Sequence, residues 1–377
     1  MAEERRTAPI ELLWDLVFVF AVTQVTTLLS RDPTWTRFGQ AMLVLALVWW
    51  AWSAFVWAAN AQDSSAAALR VYLLLASLFI FVSGLALPQA FHGEAVLFAA
   101  TYAVVRLLHL ALYADASRKG NASWAAIGGF AVTVLTGMAL LLAGSFTGGW
   151  LRGALWTLAV AIDYAGPAWL TRQRLRGLQQ VAVAHFAERY SLFVIICLGE
   201  SIVAIGVGAT RRPLTVALVA AVSLGLLMTA GMWWTYFDHF AATAEERLRG
   251  HQDPVLAAAD AYSYLHLVIV AGIIVFAVGV KLLVQGSVDA PLAAPARLAM
   301  CGGVALYLLG HAGFRLRIAG ELGYGKVALA AGLLALYALG AGLSAWSLAA
   351  VVSALLGALC VGESWQRRPR EDGSVTP

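Results

Sequence analysis

The chain has 377 residues, of which 61% are hydrophobic and 12% charged, with a formal net charge of +4 and a mean hydropathy of +0.78. Soluble domains carry about 25% charged residues, so this composition excludes a soluble globular protein. The apolar segments are long enough for helices to cross a bilayer, and none alternates with the period of barrel strands. We predict an all-α polytopic membrane helix bundle with about 12 transmembrane helices.

The predicted membrane spans follow one another closely along the chain. They lie near residues 10–30, 38–60, 68–90, 94–114, 124–146, 148–170, 185–208, 213–238, 258–284, 295–317, 325–343 and 345–362. Seventeen Lys and Arg residues fall on the side of the N-terminus and seven on the other side. By the positive-inside rule, both termini are expected in the cytoplasm.

The two halves of the chain resemble each other in three places. WWAWSAF, FIFVSGLAL and AVVRLLHLALY in the first half match WWTYFDH, VFAVGVKLL and ALYLLGHAGFR in the second, in the same order. We therefore predict two six-helix halves in parallel orientation, residues 1–177 and 178–363, followed by a disordered cytoplasmic tail, 364–377. Such repeats recur in transporters, with the site near the repeat interface.

The first helix has two carboxylates on one face near its cytoplasmic end. Glu11 and Asp15 are four residues apart, and Phe18 and Val22 continue the same stripe. Glu11 can simply cap the helix, where a carboxylate favours the N-terminal dipole. Asp15 is deeper and is a candidate functional acid, and Gln24 is a polar group at depth that needs a partner.

The fourth helix has a polar stripe spaced four, three and four residues apart: Tyr102, Arg106, His109 and Tyr113. A guanidinium in lipid needs an anion. The candidates are Asp15, Glu188, Glu200 and Asp163. A structural ion pair and a substrate-binding role for Arg106 are equally compatible with this pattern.

The seventh helix has four ionisable groups, His185, Glu188, Arg189 and Glu200. His185 and Glu188 are three residues apart, which suits a proton-sharing pair near the inner surface, although a solvated helix entry explains them too. Glu200 lies about 18 Å further along and must face protein or water. The neighbouring small residues Gly199, Ser201, Gly206 and Gly208 allow a close approach by another backbone.

Aromatic residues and histidines fill several other helices. His266 follows Tyr262 by four residues, and His311 follows Tyr307 by four; a hydrogen-bonded core group is the simpler explanation for each histidine. His109, His185, His266 and His311 all fall in the inner half, which favours a shared role. Trp50 and Trp57 face one way on the second helix, as core or as cavity lining.

Other classes of site have little support. Cys197, Cys301 and Cys360 lie in apolar segments without ligand spacing, so we expect buried small side chains and neither a disulfide framework nor a metal site. There is no Walker A motif and no nucleic-acid motif, and we predict no cofactor. The sequence leaves the oligomeric state open.

Three helices resemble the signature helices of the bacterial low temperature requirement A (LtrA) family: ELLWDLVFVFAVTQVT at 11–26, HFAERYSLFVIICLGESIVAIG at 185–206 and YLHLVIVAGIIVFAVGVK at 264–281. The family usually has paired Phe where this chain has Leu13-Trp14, and often Gly where it has Ser191. The resemblance covers nearly the whole chain and implies the bacterial cytoplasmic membrane as its location. It implies no particular substrate.

Two functions therefore fit the sequence. The first is a proton-coupled secondary transporter of a small molecule, in which Glu200, Asp15 and Glu188 exchange protons while Arg106 and the histidines orient the substrate. The second is an intramembrane enzyme, in which a buried carboxylic acid protonates an isoprenoid or lipid substrate in an aromatic-lined pocket. A sensor or scaffold is the third possibility.

Overall fold

The helices were located in a computed structural model that describes residues 7–60, 67–119, 124–167, 182–210 and 212–365, without the side chains of residues 125, 126 and 239. Within these ranges the chain is helical almost throughout, and no strand is found. The first six helices are α1 Pro9–Arg31, α2 Trp35–Asn60, α3 Ala67–Ala86, α4 Ala95–Arg118, α5 Trp124–Ser145 and α6 Gly149–Ala165. The predicted tail lies mostly outside the described residues.

Six further helices complete the described part of the chain. They are α7 Val183–Ala209, α8 Val216–Arg249, α9 Pro254–Gln285, α10 Ala294–Ala319, α11 Tyr324–Leu339 and α12 Ala345–Trp365. Ten helical segments in these ranges are long and apolar enough to cross a membrane. The predicted all-α polytopic membrane bundle is confirmed, whereas the internal repeat stays a prediction.

The two longest helices are α8 and α9, and the largest boundary difference is at α8. The prediction ended α8 at residue 238, where the apolar pattern stops, but the helix continues to Arg249. The added stretch is rich in helix-forming residues and has a Glu245–Arg249 ion pair of 2.7 Å between neighbouring turns. Hydropathy marks where a helix leaves the membrane and not where the helix ends.

Each of these two long helices contains a π turn, Tyr236–Phe240 in α8 and Ala259–Leu265 in α9. A π turn shifts the backbone hydrogen bonds by one residue and makes nearby carbonyl groups available to side chains. The carbonyl of Ser263 accepts a hydrogen bond of 2.6 Å from the indole of Trp49. His266 donates through Nδ1 to the carbonyl of Ala261 at 3.2 Å.

Contacts divide the chain into two units. Unit 1 is Met1–Ile196 with Glu245–Leu267, and unit 2 is Cys197–Ala244 with Val268–Pro377. Unit 1 therefore contains α1 to α6 together with the first parts of α7 and α9 and the end of α8. The predicted halves, 1–177 and 178–363, follow the chain order and stay a prediction about the repeat.

Candidate functional site

Four ionisable side chains meet in unit 1, and we call them the acid–base cluster: Glu11, Asp15, His185 and Arg189. Their side chains are at most 1% exposed. His185 Nε2 lies 3.1 Å from Glu11 Oε2, and the two terminal nitrogens of Arg189 lie 3.2 Å from Glu11 Oε1 and 2.5 Å from Asp15 Oδ1. The N-terminal ends of α1 and α7 are thus joined by charge-assisted contacts.

Neutral groups hold the cluster in place. The indole of Trp52 donates to Asp15 Oδ1 at 2.8 Å, and the side-chain oxygen of Asn60 lies 3.4 Å from His185 Nδ1. The backbone N–H of Ala8 donates to Glu11 Oε2 at 2.8 Å. Glu11 therefore caps α1, as the simpler alternative from the sequence predicted, and it also contacts the other members of the cluster, while a functional role for Glu11 stays a prediction.

The charges of the cluster do not balance without a proton. The carboxylates of Glu11 and Asp15 carry two negative charges when ionised, and the guanidinium of Arg189 carries one positive charge. A proton on His185 brings the total to zero, and its loss leaves one net negative charge. Because a buried uncompensated charge is costly, the cluster favours holding one proton, on His185 or on either carboxylate.

An aromatic cavity lies in the same unit. Its rings are those of Trp50, Trp57, Tyr113, Phe130 and Tyr264, and its polar groups include Ser53, His109 and Ser263. The volume open to the centre of a water molecule in this cavity is about 60 Å³. This is several times the volume that one water molecule needs on the same measure. The prediction that Trp50 and Trp57 face one way is confirmed, and of the two readings left open the structure gives cavity lining.

Direct side-chain contacts link this aromatic cavity to the acid–base cluster. The hydroxyl groups of Ser53 and Tyr190 are 2.6 Å apart, and the Tyr190 ring packs edge-on against Trp52, with centroids 4.8 Å apart. The same Trp52 donates to Asp15. The cluster and the cavity wall are therefore joined by a short series of direct side-chain contacts.

The buried Arg106 of α4 pairs with Asp163 of α6 across 2.8 Å. Of the four candidate anions, the structure selects Asp163. Three residues further along α4, His109 lines the aromatic cavity, and neither ring nitrogen has a hydrogen-bond partner among the described residues. Tyr102 donates to the carbonyl of Leu47 at 3.0 Å, which ties α4 to α2.

Other predicted residues lie apart from these two features. Glu188 is exposed and accepts a hydrogen bond of 3.2 Å from the backbone N–H of Thr7. The pair expected between Glu188 and His185 does not form, and His185 contacts Glu11 instead. Gln24 is half-buried. Glu200 belongs to unit 2 and is buried, at 6% exposure.

His266 stacks on Tyr262 with centroids 4.7 Å apart, in agreement with the simpler prediction of a buried core histidine. His311 belongs to a second buried group, in unit 2. Lys326 Nζ lies 3.3 Å from His311 Nδ1 and 3.2 Å from Glu363 Oε1. In the described chain, no group of three or more His, Cys, Asp or Glu is placed to hold one metal ion.

Sequence reasoning missed several residues that complete these sites. Lys326 was counted among the loop charges, yet it is only 8% exposed. Trp52, Asn60, Tyr190 and Ser263 were not singled out as partners. The sequence places Trp52 and Asn60 on α2, but whether they contact Asp15 and His185 depends on how α2 packs against α1 and α7.

Known proteins match the chain as follows. The family model described as bacterial low temperature requirement A protein (LtrA) matches residues 6–361. An uncharacterized protein of Rhizobium meliloti (strain 1021) is 32% identical over 275 residues, which cover 71% of this chain and 67% of that protein. No solved structure matches the chain significantly.

Proposed function

The chain belongs to the bacterial low temperature requirement A family, and from this membership and the acid–base cluster we propose that it is a proton-coupled secondary transporter of a small molecule. The cluster is the proton site, and the aromatic cavity receives the substrate. The protein acts in the bacterial cytoplasmic membrane, with both termini in the cytoplasm, as the distribution of Lys and Arg favours.

The observation that carries the proposal is the charge count of the acid–base cluster. Glu11, Asp15 and Arg189 are fully buried and, with both acids ionised, leave one negative charge that a proton on His185 or on either carboxylate neutralises. A membrane protein can use such a site to couple proton release to a second event. The contacts through Trp52 and Tyr190 link that event to the cavity wall.

The enzyme alternative finds less support. Acid catalysis requires a carboxyl group within hydrogen-bond reach of the substrate. The described residues that line the aromatic cavity include no Asp or Glu. A substrate in this cavity would meet rings, hydroxyl groups and the imidazole of His109, which suit binding better than proton donation to an apolar substrate.

The proposal is tested by comparing small-molecule pools in cells and medium by mass spectrometry. Bacteria that produce the natural protein are compared with bacteria that produce His185→Gln, with and without nigericin, which collapses the pH difference across the membrane. We expect at least one molecule to distribute differently with the natural protein and to lose that difference in His185→Gln and after nigericin.

The matched control is Glu245→Gln, which changes an exposed carboxylate paired with Arg249 and outside both sites. It is expected to behave as the natural protein does. Fluorescence-detected size exclusion establishes that each variant is produced and folded. A distribution that depends on the protein but persists in folded His185→Gln and in nigericin rejects proton coupling, and no protein-dependent distribution at all rejects transport.

A further inference from the structure

We propose that the aromatic cavity of unit 1 binds an uncharged, mainly apolar molecule with one hydroxyl or carbonyl group, and that His109 is its hydrogen-bond partner. This inference rests on the proposed function only in naming the ligand as the transported substrate. The binding site itself is argued from the cavity and is tested without transport.

The rings of the cavity are held in fixed positions. The hydroxyl of Tyr264 donates to the carbonyl of Tyr164 at 2.8 Å, and the indole of Trp57 donates to Ser263 Oγ at 2.8 Å. Trp50 stacks on Tyr164 with centroids 4.0 Å apart. Aromatic walls favour an apolar ligand. Because the rings are already held in place, binding costs little side-chain entropy.

Trp50 Nε1 has no hydrogen-bond partner among the described residues, and the larger exception to this satisfied lining is His109. Its side chain is 0% exposed, and both ring nitrogens have no hydrogen-bond partner among the described residues. The rings of Tyr113 and Phe130 meet it edge-on, with centroids 4.9 and 5.4 Å away. Buried polar groups are nearly always hydrogen-bonded, so an unpartnered imidazole in a cavity wall indicates a missing partner.

The charges around the cavity exclude an ionic ligand. The described lining residues include no Asp, Glu, Lys or Arg, and the buried Arg106–Asp163 pair nearby is already compensated at 2.8 Å. A charged ligand would lose its hydration without finding a counter-ion. A second positive charge on His109, one helical turn from Arg106, is unfavourable by repulsion.

The uncharged imidazole therefore presents one N–H donor and one acceptor nitrogen. A hydroxyl group can satisfy either nitrogen, and a carbonyl group can satisfy the donor. An apolar molecule without such a group would leave His109 unsatisfied. At the start of α9, Val255 lines the cavity and also borders a surface recess with Gln252 and Asp253.

The test uses two probes of equal ring size, 2-naphthol and naphthalene, titrated calorimetrically into the full-length protein in lipid nanodiscs. Empty nanodiscs supply the heat of partitioning, which is subtracted. We expect saturable binding of both probes, with 2-naphthol bound about three- to tenfold more tightly, the contribution of one neutral hydrogen bond.

Four variants decide the outcome. His109→Leu is expected to bind both probes equally, and His109→Gln to restore part of the preference for 2-naphthol. Ile127→Trp, which fills the cavity, is expected to weaken both probes, while His251→Leu, a histidine outside the cavity, leaves both unchanged.

Absence of saturable binding to the natural protein, or a preference for 2-naphthol that persists in His109→Leu, overturns the proposal. Because no gradient is applied, these results are independent of transport. Binding at His109 with no protein-dependent distribution in cells would reject the proposed function and leave the binding site standing.

Discussion

At the scale of single residues, the buried charges are stabilised by partners from other helices. Arg106 and Asp163 are 57 positions apart in the chain and 2.8 Å apart in space. Two nitrogens of Arg106, Nε and Nη1, have no hydrogen-bond partner among the described residues. The ion pair is therefore the main compensation for a guanidinium taken out of water.

Arg106→Met is expected to destabilise the protein strongly, by about 3–5 kcal/mol, because it leaves the carboxylate of Asp163 buried without a cation. The double variant Arg106→Met with Asp163→Leu is expected to recover much of that loss, since it removes both charges. Thermal unfolding in detergent measures the single and double variants. A double variant as unstable as the sum of the two single variants would show that the pair is not coupled.

The acid–base cluster also depends on residues far apart in sequence. Glu11 and His185 are separated by 174 positions, and their side chains are 3.1 Å apart. The spacing of Glu11 and Asp15 along α1 predicted the face they share, and burial of Phe18 and Val22 on that stripe confirms it. The spacing of His185 and Glu188 along α7 suggested a pair that does not form, because Glu188 is on the exposed side.

At the scale of helices, close backbone packing occurs between the unit 2 part of α9 and α10. A Cβ atom added to Gly303 would lie 2.7 Å from the Cα of Phe276, and one added to Gly279 would lie 2.6 Å from the Cα of Met300. Sequence reasoning expected such contact at the glycines of α7. Nothing lies within 4 Å of a Cβ built on Gly199 or Gly206, whereas one built on Gly208 would meet the side chain of Val284 and lie 3.7 Å from the carbonyl oxygen of Lys281. Small residues permit close approach, but the partner helix decides where it happens.

Gly303→Ala is expected to lower the stability of the protein by about 1–3 kcal/mol, because backbone atoms cannot give way as a flexible side chain can. The matched control is Gly332→Ala in α11, where a Cβ meets nothing within 4 Å. That change should be neutral or slightly stabilising, since Ala favours helix over Gly. Unfolding temperatures that fall equally in the two variants would contradict the close packing of α9 and α10.

At the scale of the whole molecule, the orientation in the membrane follows from charge. Seventeen Lys and Arg residues on the N-terminal side against seven on the other predict cytoplasmic termini. Two exposed loop residues mark opposite sides in this scheme: Gln252 between α8 and α9, and Ser287 between α9 and α10.

Single cysteines at these positions test the orientation after the three native cysteines are changed to Ala. A membrane-impermeant maleimide is expected to label Ser287→Cys in intact cells and Gln252→Cys only after the membrane is permeabilised. The reverse pattern would place the termini outside the cell. Labelling of both cysteines in intact cells would contradict the prediction that Gln252 and Ser287 lie on opposite sides of the membrane.

The sequence by itself determined the fold class and most span positions. A helix satisfies its own backbone hydrogen bonds, so a long apolar segment in lipid has few alternatives to a helix. The position of each span along the chain therefore follows from local hydropathy. The repeat and the domain halves were also read from the sequence and stay predictions, because weak apolar matches do not specify contacts.

Only the tertiary structure decided which buried groups meet. Spacing along a helix fixes the face on which Glu11, Arg106 or His109 lies, but rotation and packing of the helices fix the neighbour on that face. The structure pairs Glu11 with His185 and Arg106 with Asp163, and leaves His109 in the cavity wall. Residues in different helices are linked only through space, and that information is not local to any segment of the chain.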